Sequence, residues 1–478
     1  MDAETDDGNR FDALEGAMLG ELVRPEDPHY DDRRQLWNGM IDRRPAGLAR
    51  CRNAGDVIAA VEFAREQGLD VAVRGGGHHP AGLGTCDDGL VIDCGPMDWV
   101  DVDPDAGRVR VGGGATWRDV DHATQPFGLA VPGGTVSDTG VGGLTLGGGY
   151  GHLRRQHGLT CDNLVSVDLV TADGTFLTAS ETEHEDLFWA LRGGGGGFGV
   201  VTAFEFEAHP VGPEVATVET WHPIEDAAAA IEAWREFMAD APRAVSGEAV
   251  IWSIPEDPHF PEDRHGEPVA IITAVHCGDP EEATSVLEPL REFGSPLFDF
   301  SGRMAFLDLQ QGFDPFFPAG EHRYYQGSIY LDSLDDETID ALVEREPTRP
   351  DPRVLYYVWN LGGAIADVPE DATAFSGREH PYLLAIDATW DDPAADETVL
   401  EWARSFKRDM LVHSPGERYR NFPGMDEAEA VTELPERAET SERLREVKAA
   451  YDPTNLFGPD HDRGLAEPGG SVSAAGDE

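Results

Sequence analysis

Two runs constrain most tightly what this chain can fold into: GVGGLTLGGGYGH, Gly140 to His152, and RGGGGGFG, Arg192 to Gly199. Backbone this poor in side chains favours loops and tight turns, and it lets a ligand come close to successive N–H donors. A third stretch, VRGGGHHPAG from Val73 to Gly82, sets three glycines and then two histidines directly after the apolar strand DVAVR. An imidazole is thus placed where backbone can lie against a bound molecule.

Two nucleotide-binding patterns are tested against these runs. Gly194, Gly196 and Gly199 satisfy GxGxxG, but that fingerprint needs a strand before it and a helix after it. Here EDLFWALR reads as the helix before and VVTAFEFE as the strand after, so the order is reversed. A P-loop fails because neither lysine, Lys407 or Lys448, follows a glycine run.

Charge adds a second constraint. With 36 basic against 91 acidic residues, the 478-residue chain carries a formal net charge of −55, and this self-repulsion weakens a compact fold unless salt screens it. Scattered carboxylates with almost no lysine resemble the surfaces of proteins from salt-loving archaea. No basic patch exists to neutralise phosphates, which argues against a nucleic-acid partner. Five cysteines without a CxxC pair argue against a disulfide framework and a zinc site. Neither a basic, apolar leader nor a membrane-length apolar run is seen, so the expectation is a cytoplasmic protein with a small-molecule substrate, no membrane contact and an open oligomeric state.

Periodicity places a helix at DVIAAVEFAREQG, with Asp56 as N-cap and Gly68 as stop, and a capping arrangement at Thr116 and Asp119. Val165, Val167 and Leu169 alternate along a strand that closes in an Asp-Gly turn. Beyond about Val211 longer helices (EDAAAAIEAWREFM, ADETVLEWARSFKRDM) alternate with strands (VAIITAVH, RVLYYVWN, YLLAIDATW), as in a second domain with one sheet covered by helices.

At this point the motifs carry a resemblance. VRGGGHHPAG, VPGGTVSDTGVGGLTLGGGYG, GLTCDNLVSVDLVTADG and DLFWALRGGGGGFGVVT, in this order, resemble the FAD-binding domain of vanillyl-alcohol-oxidase-type flavoenzymes. YRNFPG and VKAAYDPTNLF resemble the closing segment of the berberine-bridge-like branch. The resemblance implies an α+β fold: a two-subdomain PCMH-type FAD-binding domain plus a substrate domain whose antiparallel sheet is covered by helices. Its expected divisions are an N-terminal segment (1–43), the FAD domain (44–211), the substrate domain (212–408), a C-terminal segment returning to the FAD domain (409–464) and a flexible acidic tail (465–478).

The same resemblance implies FAD as cofactor, bonded covalently through His78, and oxidation of a hydroxyl-bearing small molecule by hydride transfer. Its cofactor-binding positions correspond to Arg74, Gly75, Gly76, Gly77, His78, His79 and Gly82 in the first loop. They continue with Thr139, Gly140, Val141, Gly142, Gly143, Gly149, Tyr150 and Gly151 in the second, then Val201 and Asn421. Many relatives add a cysteinyl link, but Val136 occupies that place here, so a single covalent bond is expected. Thr139 stands at the position associated with oxygen access, and Gly197 replaces a usual asparagine.

Hydride transfer also requires a base for the hydroxyl proton. Tyr419 matches a tyrosine often assigned that role, with Arg418, Arg420 or the flavin lowering its pKa. A strand glutamate used by some relatives corresponds to Leu383 here. Asp387 shares a face with Leu383 by strand alternation, and His380, Tyr325 and Trp359 are further candidates to reach the cavity. An oxidase, an oxygen-insensitive dehydrogenase and a flavin-binding protein without turnover all remain open.

Overall fold

The computed structural model describes residues 11–425 and 438–458. The loose first ten residues and the acidic tail expected from the sequence lie outside the described residues. Among the described residues no helix is long and apolar enough to cross a membrane.

The fold is α+β. The first sheet has four strands in the order Glu21–Val23, Gly47–Arg50, Leu90–Asp93, Val71–Arg74, the last three parallel. Helix Ala54–Gln67 makes the crossover and stops at Gly68, whose φ of 64° is the left-handed geometry glycine tolerates. Its N-cap is Asn53 rather than Asp56: the Asn53 side chain accepts from the Asp56 amide. The Asp56 carboxylate instead accepts the amides of Leu19, Gly20 and Arg52, pinning the preceding chain to the helix start.

A second, antiparallel sheet orders Val100–Asp103, Arg108–Gly112, Val200–Glu207, Leu164–Val170 and Phe176–Ser180. The capping box of Thr116 and Asp119 forms as the spacing predicts, starting helix Trp117–Thr124. The run from Gly140 is not wholly loop: Val141–Leu146 winds into a short helix before the chain opens at Gly147.

The third sheet has eight strands. Its path runs Phe298–Asp299, Glu214–Pro223, Pro268–His276, Val245–Ser253, Leu355–Asn360, Tyr382–Trp390 and Arg323–Leu331, and Gly302–Ala305 pairs alongside Glu214–Pro223. Strand alternation divides its side chains cleanly. One face, with Val218, Ile251, Ile272, Tyr356 and Ile386, is buried under helices Ala227–Asp240, Pro280–Arg291, Asp336–Arg345 and Asp396–Met410 through Trp234, Leu287, Leu342 and Phe406. The other face, with Trp221, Val250, Ile271, Tyr357 and Trp359, joins a core shared with the glycine-rich part of the chain. The edge strand Arg323–Leu331 is covered by residues 417–424. Tyr330 N–H donates to Glu417 O at 3.0 Å and Gly424 N–H to Gln326 O at 2.7 Å, so the open edge becomes the seat of the C-terminal segment.

Candidate active site

The first glycine loop leaves the carboxyl end of parallel strand Val71–Arg74, the side of such a sheet on which ligands bind. Arg74 anchors it from behind: its guanidinium pairs with Asp93 at 2.7 Å and donates to Arg33 O at 2.8 Å. The loop is packed backbone to backbone against the second run. A Cβ on Gly76 would lie 2.6 Å from Gly140 Cα, and one on Gly140 2.4 Å from Gly76 N, so neither position has room for a side chain. The amides of Gly75, Gly76, Gly77 and His78 donate to no acceptor among the described residues.

These loops form one wall of a cavity of about 630 Å³ whose opposite wall is the inner face of the eight-stranded sheet. Of the positions expected from the sequence, Arg74, Gly75, Gly76, Gly77, His78, His79, Thr139, Gly140, Gly143, Tyr150, Tyr419 and Asn421 line it. Six stand off it. Gly82 faces Ile41, Val141 is in the core, Gly142 faces Gly113 and Phe204, and Gly149 packs on Thr160 and donates its amide to Tyr419. Gly151 packs on Gly133 O, and the carbonyl of Val201 backs Gly113. Val136 is in the wall, whereas Cys161 is fully buried outside it, its thiol pushed well above its usual pKa by burial.

Register builds the opposite wall. Glu219, Thr273, Glu248 and Trp359 are successive cross-strand partners and therefore share the inner face. Asp387 lies on the same face, opposite Leu355 and Gln326. Three carboxylates thus meet the glycine loops across one space. Burial pushes Asp387 up to about 7. Tyr357 O–H donates to its Oδ2 at 3.2 Å, the Gln326 side chain also favours its ionised form by hydrogen bonding, and its buried Oδ1 has no close partner among the described residues. Glu248 is raised by burial, against the pull of Arg154. Glu219 is raised by burial too, though its Oε1 accepts the Trp221 indole N–H at 2.8 Å. Arg154 is itself fully buried and brought down to about 10 by burial. It donates to the carbonyls of Gly151, Asn360 and Gly247, tying the glycine-rich part to the sheet.

Tyr419 closes the cavity from the C-terminal segment. Its oxygen accepts from the Gly149 amide at 3.1 Å and from Asn421 Nδ2 at 2.7 Å, while Asn421 also donates to Leu144 O. Burial raises its pKa despite those two donors. Trp359 reaches the cavity. Tyr325 does not, because alternation turns it to the helix-covered face, and His380 stacks on Tyr330 while its Nε2 lies 3.3 Å from Glu417. Leu383 sits on the inner face but outside the lining. Glu219 and Glu248 carried no sequence signal of their own. The pattern that marks them is a carboxylate spaced by two or four from a tryptophan, ETW and EAVIW, within strands otherwise apolar.

A wall of glycine with unpaired amides fits a large flat cofactor that carries phosphates. Comparison with known proteins bears on which one. A family described as FAD binding domain matches residues 45–180, and one described as berberine and berberine like matches residues 418–461. An FAD-linked oxidoreductase of Aspergillus terreus is 33% identical over 403 residues, covering 81% of this chain and 80% of that protein. This chain belongs to the berberine-bridge-like FAD-linked oxidoreductases. The solved 6-hydroxy-D-nicotine oxidase of Arthrobacter nicotinovorans superposes on this oxidoreductase with a TM-score of 0.81 at 25% identity, covering 94% of this chain and 98% of that one. The BBE-like 1 protein of Physcomitrella patens shares the fold, with a TM-score of 0.84 at 21% identity over 96% of this chain and 99% of that one.

Proposed function

We propose that this oxidoreductase removes hydride from a hydroxyl-bearing carbon of a small molecule, with FAD held through His78 and dioxygen as final acceptor. In this reading residues 44–211 and 409–464 hold the cofactor and residues 212–408 supply the substrate wall. The observation that carries it is the meeting, in one cavity, of the bare glycine wall and the Asp387 carboxylate, raised to about 7 by burial.

Bound FAD would supply the hydride acceptor. Among the chain's own groups, Asp387 is the proton acceptor: it lines the cavity, and a carboxyl titrating near 7 has the basicity that general-base work at neutral pH needs. That reassigns the role expected of Tyr419. A phenol raised by burial is a poor base, and an oxygen already accepting two N–H groups leaves its own proton to orient the substrate hydroxyl. Glu219 and Glu248 oppose the entry of anionic substrates.

Acid precipitation tests the cofactor reading: wild-type protein gives a yellow washed pellet and His78→Ala a colourless one. An anaerobic screen of alcohols, sugars and hydroxylated amines then reads flavin bleaching. With the substrate found, Asp387→Asn slows bleaching at least a hundredfold while the dissociation constant stays within a few-fold, and an unchanged rate would sink the assignment. Peroxide formed in step with product in air supports dioxygen as acceptor.

A further inference from the structure

His78 is held more closely than a loop residue needs to be. Its ring stacks on the Trp37 indole, with centroids 4.3 Å apart and 19° between planes, and Trp37 stacks on Tyr324 at 3.9 Å and 13°. The Trp37 N–H donates to Phe317 O at 2.9 Å, which stops the stack from sliding. Nε2 of His78 lies 3.0 Å from Asp138 Oδ1. Nδ1 has no hydrogen-bond partner among the described residues, and the residue lines the cavity.

A carboxylate can only accept, so Nε2 carries the proton in this bond, and the tautomer that does so has its lone pair on Nδ1. That tautomer, fixed in orientation from two sides, is a preset nucleophile. Resting on the reading that His78 carries FAD covalently, we infer that Asp138 is the positioning residue for the attachment: by holding Nε2 it leaves Nδ1 as the nitrogen presented to the 8α carbon. The Nδ1 lone pair forms the new bond to the 8α carbon. The methyl group there gives up one proton to solvent, and the two electrons left behind reduce the isoalloxazine, from which dioxygen removes them as peroxide. The ring becomes cationic as the bond forms, and the Asp138 carboxylate offsets that charge through Nε2–H. The Trp37 face and the Asp138 edge leave a single ring nitrogen without a hydrogen-bond partner among the described residues.

The test loads apoprotein with FAD in high salt and acid-precipitates samples over time. Flavin kept by the washed pellet reads bond formation, and quenching of flavin fluorescence before precipitation reads plain binding. Asp138→Ala is expected to bind FAD within a few-fold of wild type and to form the bond at least tenfold more slowly. Asp138→Asn, whose amide oxygen still accepts from Nε2–H, recovers part of that rate. The wild-type flavopeptide is expected to be linked through Nδ1 by NMR. A wild-type rate in Asp138→Ala, or linkage through Nε2, overturns the inference and leaves the covalent reading standing. A colourless wild-type pellet overturns the covalent reading, and the inference with it. Should Asp138→Ala fail to take up FAD, the linkage isomer and the Asp138→Asn rate decide.

Discussion

Replacing Asp387 by asparagine should stabilise the protein at alkaline pH and leave its stability nearly unchanged in acid. In the folded protein burial lifts this carboxyl from 3.8 to about 7, whereas in the unfolded chain it returns to its ordinary value. At about 1.36 kcal/mol per unit, ionising it in place costs the fold about 4 kcal/mol, an order-of-magnitude figure. The sign follows from proton binding. Between about 4 and 7 the folded state holds a proton that the unfolded state has lost, so this group's contribution falls as pH rises through that window. Below 4 both states are protonated and the contribution is intact; above 7 both are ionised and the full penalty stands. Asparagine cannot ionise, so the difference between variant and wild type should open from near zero at about pH 3 to a few kcal/mol at about pH 8. Thermal unfolding of the FAD-loaded proteins, at one scan rate in constant high salt, measures it. Asp121, also raised to about 7 by burial, adds the same slope to both proteins and drops out of the difference. A gap independent of pH, or a variant less stable at pH 8, would refute the reasoning.

Three further outcomes are expected. Gly76→Ala sets a methyl group 2.6 Å from the Gly140 backbone, which cannot yield as a side chain would, so about 1–3 kcal/mol of stability and flavin retention should go together; retention at wild-type level would contradict the packed-loop account. Lys448 donates from the C-terminal helix to Gly197 O at 2.8 Å and to buried Asp452 at 2.7 Å, so Lys448→Met leaves that carboxylate its Leu456 and Phe457 amides but no counter-charge and should cost about 3 kcal/mol in denaturant unfolding, with a loss under about 1 kcal/mol counting against the clamp. The unfolding midpoint of wild type should climb by several degrees from dilute buffer to molar KCl, where the Debye length shrinks to about 3 Å, and a flat profile would mean that the charge of −55 is not limiting.

What could be read from the sequence divides along a physical line. Glycine and histidine at Val73–Gly82 were legible because they answer local demands: a backbone too close to another for a Cβ at Gly76, or an imidazole set on the cavity wall. The helix-covered sheet was legible from alternation and helical spacing. Glu219 and Glu248 were not, because carboxylates are scattered along the whole chain and these two differ only in the register that sets them opposite Thr273. Asp138 was hidden for the same reason, its meaning fixed by His78 sixty residues away. The exchange of Asn53 for Asp56 as helix cap shows the same limit at short range, since the partners that claimed the Asp56 carboxylate arrive from the chain around Leu19.

The eight-stranded sheet keeps two ledgers on alternate residues. Along Glu214–Pro223, Val245–Ser253 and Leu355–Asn360, one parity interlocks with helices and the other faces the cavity and the core shared with the glycine-rich part; along Tyr382–Trp390 it is Asp387 that lines the cavity. Substitutions at the second parity leave the helical layer undisturbed, and those at the first do not alter the chemistry exposed to a substrate. Such a scaffold can drift from one substrate to another by single changes at every second position, while its folding stays under separate selection. A library confined to cavity-lining positions such as 219 and 248, with Asp387 and Tyr357 kept, would therefore explore specificity without touching the helix-packed face.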